Sequence, residues 1–96
     1  MRRVHPRAQV EFNEAFRWYA TQSFQAALQF EDELREGLLE IEMHPDRFAK
    51  YLFGTRVYML AKFPYVIVYT NELDRYVVIA LAHTKRRPGY WRRRLH

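Results

Sequence analysis

The sequence contains no cysteine, and its three glycines are isolated from one another. The first absence excludes a disulfide framework, a thiolate nucleophile and a cysteine-based metal site. The second excludes the glycine-rich loop that cradles phosphate groups in many nucleotide-binding proteins. The four histidines are scattered and offer no metal-ligand spacing. We therefore expect neither a metal ion nor a cofactor, and a chain without cysteine is typical of a cytoplasmic protein.

Long apolar runs are missing as well. No stretch approaches the roughly 20 apolar residues that cross a bilayer. The basic first residues lack the apolar run of a signal peptide, so we expect neither a signal peptide nor a membrane partner. A length of 96 residues fits a single domain, which we expect to cover residues 1–96.

Acidic residues are scarce in the second half of the chain. Residues 1–46 hold five Lys and Arg against nine Asp and Glu, whereas residues 47–96 hold eleven against two. Six of these basic residues lie within the last fourteen positions, together with Tyr90 and Trp91. A segment this basic favours a polyanion or an acidic protein as its partner. The alternative is a solvated basic surface without any partner.

Apolar residues at helical spacing predict two helices, over residues 6–20 and 24–43. Ser23 is a suitable N-cap for the second helix, and so short a turn predicts an antiparallel hairpin. Gly37 is expected to mark a close backbone approach. The acidic residues, Glu11 among them, are expected to face solvent. The apolar stripes are Ala8, Phe12, Ala15, Phe16 and Tyr19 in the first helix and Phe24, Ala27, Leu28, Phe30, Leu34, Leu38 and Ile41 in the second.

The remaining segments have the composition of β-strands. Residues 1–5 can form a short edge strand, and residues 56–61 and 66–70 are rich in β-branched and aromatic side chains. Residues 71–74 predict a hairpin turn. The run at 76–82 is apolar on both faces, which predicts a central strand covered on both sides. The fold class is therefore α+β, with an N-terminal antiparallel helical hairpin packed on a small, mainly antiparallel β-sheet.

This order of elements resembles the RelE/ParE superfamily of bacterial toxins. The residues that carry the resemblance are Trp18, Tyr19, Phe30, Glu33, Leu34, Pro45, Phe48, Arg56, Phe63, Pro64, Tyr65, Ile67, Tyr69, Ala82, His83, Arg86, Arg87, Pro88, Tyr90, Trp91 and Arg94. The resemblance implies a toxin whose basic face is covered by a small cognate antitoxin, acidic in its toxin-binding part. It also implies that operator DNA is contacted only through that antitoxin.

The superfamily contains two kinds of toxin. RelE-like members cleave mRNA on the ribosome without a metal ion, whereas ParE-like members inhibit DNA gyrase by binding it. Val57, Met59 and Val66 stand where the nuclease branch places basic residues, and apolar side chains cannot stabilise charge on a phosphate. The resemblance therefore favours a gyrase-binding toxin over an enzyme. Two alternatives stay open: an mRNA endonuclease, and an inactive relative that only binds an antitoxin. The acting groups of the endonuclease would be Arg56, His83, Arg86 and Tyr90.

The candidate residues for binding the target or the antitoxin are Arg56, Lys85, Arg86, Arg87, Tyr90, Trp91 and Arg94. Several have a structural alternative. Trp91 could equally fill the end of the core, and Arg56 could be an ordinary exposed strand residue. His83 has a reference pKa of about 6.5, which suits a general acid or base. It lies at the end of a predicted strand, where a structural, hydrogen-bonded histidine is an equal alternative.

Overall fold

A computed structural model describes residues 2–72 and 75–95, without the side chain of Arg2. The predicted turn at 71–74 therefore lies partly outside the described residues, because Leu73 and Asp74 are not among them. The helices are α1 (Pro6–Gln22) and α2 (Phe24–Met43), and the strands are β1 (Arg2–Val4), β2 (Ala49–Lys50), β3 (Arg56–Met59), β4 (Tyr65–Glu72) and β5 (Arg75–His83). Short 3-10 helices span Leu52–Gly54 and Arg92–Leu95.

The helical hairpin is confirmed, and both helices are capped by side chains. The Ser23 hydroxyl accepts a hydrogen bond from the Ala26 backbone N–H at 3.3 Å, as predicted for an N-cap. The imidazole of His5 caps α1 in the same way, since its Nδ1 accepts from the Arg7 N–H at 3.0 Å. Helix α1 ends two residues later than predicted, whereas α2 ends at Met43, as the sequence indicates.

The five strands form one sheet in the order β1-β5-β4-β3-β2. The meander β3-β4-β5 is antiparallel, and β1 adds to its edge in parallel to β5. The prediction that the last apolar run is a central strand is confirmed, because β5 lies between β1 and β4. Strand β3 ends two residues earlier than predicted, and the two-residue strand β2 was not foreseen.

One face of the sheet carries the helical hairpin. Gly37 of α2 lies so close to the sheet that an added Cβ would stand 2.8 Å from Cε1 of Tyr58, which confirms the expected close approach. Phe24 and Leu28 were expected in this core, but they are 65% and 42% exposed. Each residue turns the helix by about 100°. With Ala27 buried at the centre of the stripe, its neighbour at position 28 is therefore directed to the flank.

The other face of the sheet carries a second core cluster, formed around Trp91. Its buried members are Val68, Ile79, Ala80, Ala82 and Trp91. The residues that follow β5, here called the C-terminal segment (84–95), fold back over this face and bring Trp91 onto it. Strand β5 is thus covered on both sides, as its composition predicts.

Candidate functional site

The C-terminal segment is anchored to α1 by the carboxylate of Glu11. Arg94 approaches this carboxylate with both terminal nitrogens, at 2.8 Å from Oε1 and 3.0 Å from Oε2. The Tyr90 hydroxyl donates to Oε2 at 2.6 Å. The Glu11 side chain is only 10% exposed, so the expectation that it faces solvent is wrong. Its position on α1 places it beside the edge of β5, where it meets the returning chain.

The same side chains complete the edge of β5. Strand β1 pairs with β5 only as far as Val78, so beyond that residue β5 has β4 on one side and no strand on the other. Glu11 accepts a hydrogen bond from the Leu81 N–H at 3.1 Å, and Arg94 donates to the Ile79 carbonyl at 3.1 Å. Buried backbone groups need such partners, so the anchor is part of the fold.

Tyr90 is held in its protonated form. Burial raises the pKa of this phenol above its usual value, and the hydrogen bond to Glu11 and the negative charge of that carboxylate raise it further. In this structure the hydroxyl therefore keeps its hydrogen and directs it at Glu11. Arg86 lies over the Tyr90 ring, with its guanidinium carbon 3.7 Å from the ring centroid. Its Nη1 lies 3.6 Å from Oε2 of Glu11.

Trp91, a candidate for binding a partner, is 1% exposed and belongs to the second core cluster. Its ring lies 6.1 Å from that of Tyr51 and 5.9 Å from that of Phe53, centroid to centroid. The structural alternative for Trp91 is therefore what the fold shows. Tyr90 and Arg94 are held by their hydrogen bonds to Glu11. Three of the seven candidate residues, Tyr90, Trp91 and Arg94, therefore hold the C-terminal segment in place.

A cleft of about 450 Å³ lies on the outer side of this segment. We call it the basic cleft; its lining residues are Phe53, Arg87, Pro88, Gly89, Tyr90, Arg92 and Arg93. Its three arginines are exposed, and within the described chain none of them pairs with a carboxylate. Lys85 and Arg86, which precede the cleft, are exposed as well. Three arginines of the segment without a carboxylate partner therefore share one cleft.

Of the four residues of the nuclease alternative, His83 and Arg86 line one depression and Arg86 lies over the Tyr90 ring, whereas Arg56 lies apart from them. Arg56 shares the helix side of β3 with Tyr58, and its Nη1 donates to the Phe48 carbonyl at 2.7 Å. It lines a cavity other than that of His83, which lies in a shallow depression of about 220 Å³ beside Arg86. His83 packs against Tyr65 at 5.1 Å between centroids, and its Nδ1 accepts from the Lys85 N–H at 3.0 Å.

Val57, Met59 and Val66 stand where the resemblance places basic residues in the nuclease branch, and they do not form a charged surface in the fold. Val57 and Val66 pack against the cluster around Trp91 and are partly buried there. Met59 projects from the end of β3 and is exposed. Beneath the C-terminal segment, then, these two valines supply packing contacts and no positive charge.

No group of three or more His, Asp or Glu side chains within residues 2–72 and 75–95 is arranged to hold a metal ion. Among the helices of the same ranges, none has the length and apolarity required to cross a membrane.

Sequence reasoning missed Glu11, Phe53, Arg92 and Arg93 as site residues. The run of basic residues could have identified Arg92 and Arg93, because both stand in it. Glu11 carries no local signal, since its partners Leu81 and Arg94 are 70 and 83 positions away.

Comparison with known proteins agrees with the fold. The family model for the ParE toxin of type II toxin–antitoxin systems matches residues 2–88, which include the helical hairpin and the whole sheet. The match ends at Pro88, just before the residues that anchor the C-terminal segment. No curated protein matches the chain significantly. Since the match spans most of the sequence and confirms the resemblance drawn from its residues, the chain belongs to the ParE toxin family of type II toxin–antitoxin systems.

Proposed function

We propose that this ParE-family toxin inhibits DNA gyrase by binding it, in the cytoplasm, and that a small cognate antitoxin neutralises it. The antitoxin is acidic in the part that contacts the toxin, because the second half of this chain carries the excess of positive charge. Operator DNA is reached through the antitoxin.

The observation that carries the proposal is the filling of the sheet face beneath the C-terminal segment. Val57, Val66 and Val68 pack there with Trp91. Stabilising a phosphate in the transition state requires donors or cations aimed at it, and these side chains provide neither. The Tyr90 hydroxyl is committed to Glu11. These contacts favour a toxin that acts by binding over one that cleaves RNA.

The target-binding surface consists of the exposed cations that the anchor holds in place. Lys85 and Arg87 contribute charge without a structural contact of their own side chains among the described residues, whereas Arg86 also stacks on Tyr90. Tyr90, Trp91 and Arg94 do not contact the target in this proposal; they hold the C-terminal segment in position. Arg56 lies on the helix side of the sheet and would serve the antitoxin rather than gyrase.

Apolar side chains on the helical hairpin indicate where the antitoxin binds. Phe24, Leu28 and Leu39 are exposed along α2. Their sequence separations of 4 and 11 residues place them on one side of the helix. A groove of about 370 Å³ is lined by residues of both helices, in part by Phe12, Phe16 and Phe30. An amphipathic antitoxin segment can cover the stripe and the groove together.

The decisive experiment measures gyrase supercoiling and cell-free translation with the same purified protein. We expect inhibited supercoiling and undiminished translation. The double variant Lys85→Ala/Arg87→Ala should lose inhibition, whereas Arg17→Ala/Arg47→Ala, with the same change in net charge, should keep it. All four side chains are exposed, so each change should move stability by only about 0.5 kcal/mol. Cleaved mRNA with normal supercoiling would establish the nuclease alternative, and a folded protein inactive in both assays would establish the inactive relative.

A further inference from the structure

The basic cleft combines two features that a purely solvated basic surface does not need. Three guanidinium groups, of Arg87, Arg92 and Arg93, line one concave space of about 450 Å³. Their carboxylate partners are absent among the described residues, since the internal ion pairs of the segment involve Arg86 and Arg94. Like charges gathered without counter-charges repel one another, and an anionic ligand relieves that repulsion.

The second feature is the ring of Phe53 in the wall of the cleft. This side chain is 49% exposed, although phenylalanine is normally buried. Its backbone has φ of 59°, in the left-handed region that non-glycine residues seldom adopt. The Arg92 guanidinium carbon lies 4.6 Å from the ring centroid, and the Trp91 ring meets it edge to face at 77°. An aromatic ring is thus held at the surface, beside three cations, in an unfavourable backbone conformation.

The turn at Gly89 lies close to that ring. Gly89 has φ of 84°, and a Cβ added there would stand 3.1 Å from Cε2 of Phe53. The glycine therefore both permits the turn of the chain and leaves room for the ring. Residues before β3 and residues after β5 form the cleft together.

We propose that the basic cleft binds an unpaired nucleic-acid strand, with phosphates on the three arginines and a base stacked on Phe53. Guanidinium groups match the geometry of phosphate oxygens through paired hydrogen bonds. Stacking on an aromatic ring requires a base released from a duplex, which favours single strands. An acidic peptide could meet the same charges, but its carboxylate side chains present no planar face to the ring. This activity does not depend on the proposed inhibition of gyrase: Arg87 belongs to both surfaces, whereas Phe53, Arg92 and Arg93 belong to the cleft alone.

The test is binding of the purified protein to a fluorescein-labelled 20-nucleotide single strand of mixed sequence, followed by anisotropy between 50 and 200 mM salt. The variant Arg87→Gln/Arg92→Gln/Arg93→Gln should weaken binding about tenfold or more. It should also flatten the plot of log K against log salt by about 2, because each phosphate contact on a single strand contributes roughly 0.7. The matched control Arg17→Gln/Arg47→Gln/Arg75→Gln removes the same charge from exposed positions outside the cleft. It should lose less than about threefold.

The ring is tested separately. Phe53→Asn removes stacking while keeping a residue that tolerates the left-handed backbone. It should weaken single-strand binding about fivefold or more. Phe53→Tyr retains the ring and should bind like the parent. Thermal melts of every variant show whether the fold is kept.

Four results would overturn the proposal. These are no binding at 50 mM salt, equal losses in the cleft and control triple variants, binding of a duplex of the same sequence as tightly as the single strand, and displacement by polyglutamate at equal charge concentration. The last result would assign the cleft to an acidic protein segment. Supercoiling assays with Phe53→Asn and Arg92→Gln/Arg93→Gln, whose residues lie outside the proposed gyrase-binding surface, should show undiminished inhibition, so failure of one proposal does not resemble failure of the other.

Discussion

Glu11, in the second turn of α1, and Arg94, in the last 3-10 turn, form a two-point ion pair across 83 positions of the sequence. Their side chains are 10% and 11% exposed, so the pair is shielded from solvent. Around it converge the Tyr90 hydroxyl, the Leu81 N–H and the Ile79 carbonyl. These contacts therefore fix the backbone of the C-terminal segment that carries the exposed cations.

Breaking this pair should destabilise the protein markedly. Glu11→Gln leaves Arg94 without its counter-charge, and Arg94→Gln does the same to Glu11. We expect each single variant to lower the free energy of unfolding by about 3 kcal/mol, because an uncompensated charge then stays buried. The double variant should lose less than the sum of the two. Urea denaturation measures all three, with the exposed residues Glu14→Gln and Arg93→Gln as controls; additive losses would show that the pair is not coupled.

The buried phenol of Tyr90 makes stability depend on pH in alkaline solution. Its pKa is raised in the folded state, first by burial and then by Glu11. The corresponding stabilisation is fully present below the unfolded value of about 10 and is lost as the pH rises toward the folded pKa. Urea unfolding between pH 8 and pH 11 should show a smaller loss in Tyr90→Phe than in the parent. The control Tyr51→Phe should follow the parent, and parallel curves for Tyr90→Phe and the parent would contradict the assignment.

His5 should make α1 sensitive to acid. Burial lowers the pKa of this imidazole, and the charges of Arg94 and Arg7 lower it further while Glu11 opposes them. Its contribution is therefore present above the unfolded value of about 6.5 and is lost as the pH falls through the lower folded pKa. Protonation of Nδ1 also removes the cap on Arg7. His5→Asn retains a capping oxygen that does not titrate, so its melting temperature should fall less between pH 7.5 and pH 5 than that of the parent. The exposed His44→Asn is the control, and equal shifts in His5→Asn and the parent would exclude His5 as the cause.

Gly37 should resist replacement although it lies inside a helix. Alanine there gains about 1 kcal/mol of helix propensity, but its Cβ would overlap the Tyr58 ring at 2.8 Å. We expect Gly37→Ala to be destabilising in the parent, because that ring is held against Phe48 at 5.0 Å between centroids. In the Tyr58→Ala background the same change should cost less, because only Cδ1 of Ile67, at 3.1 Å, then crowds the added Cβ. Chemical denaturation of the four proteins of this cycle measures both effects; a gain in the presence of Tyr58 would show that the ring moves aside freely.

The sequence alone determined the elements and their class. Residues 24–43 and 76–82 carry strong local patterns, and the cap at Ser23 is a contact over three residues, so each is encoded where it occurs. The family followed from the order of such local features along the chain, and the family model matches residues 2–88. The basic C-terminal run was also visible in advance as the place where charge accumulates.

Only the tertiary structure decided which of those side chains are exposed for binding and which are buried in the fold. Trp91 turned inward because the valines of β3 and β4 leave an apolar face that a large ring can cover. Glu11, expected to face solvent, became an anchor because β1 ends at Val4, opposite Val78, and leaves the next backbone groups on that edge of β5 without a strand partner. Phe53 contacts Arg92 because its backbone adopts a left-handed turn, which the spacing of neighbouring residues does not predict. Such contacts join positions far apart in the chain, and the free energy of burying them depends on the whole fold rather than on any local pattern.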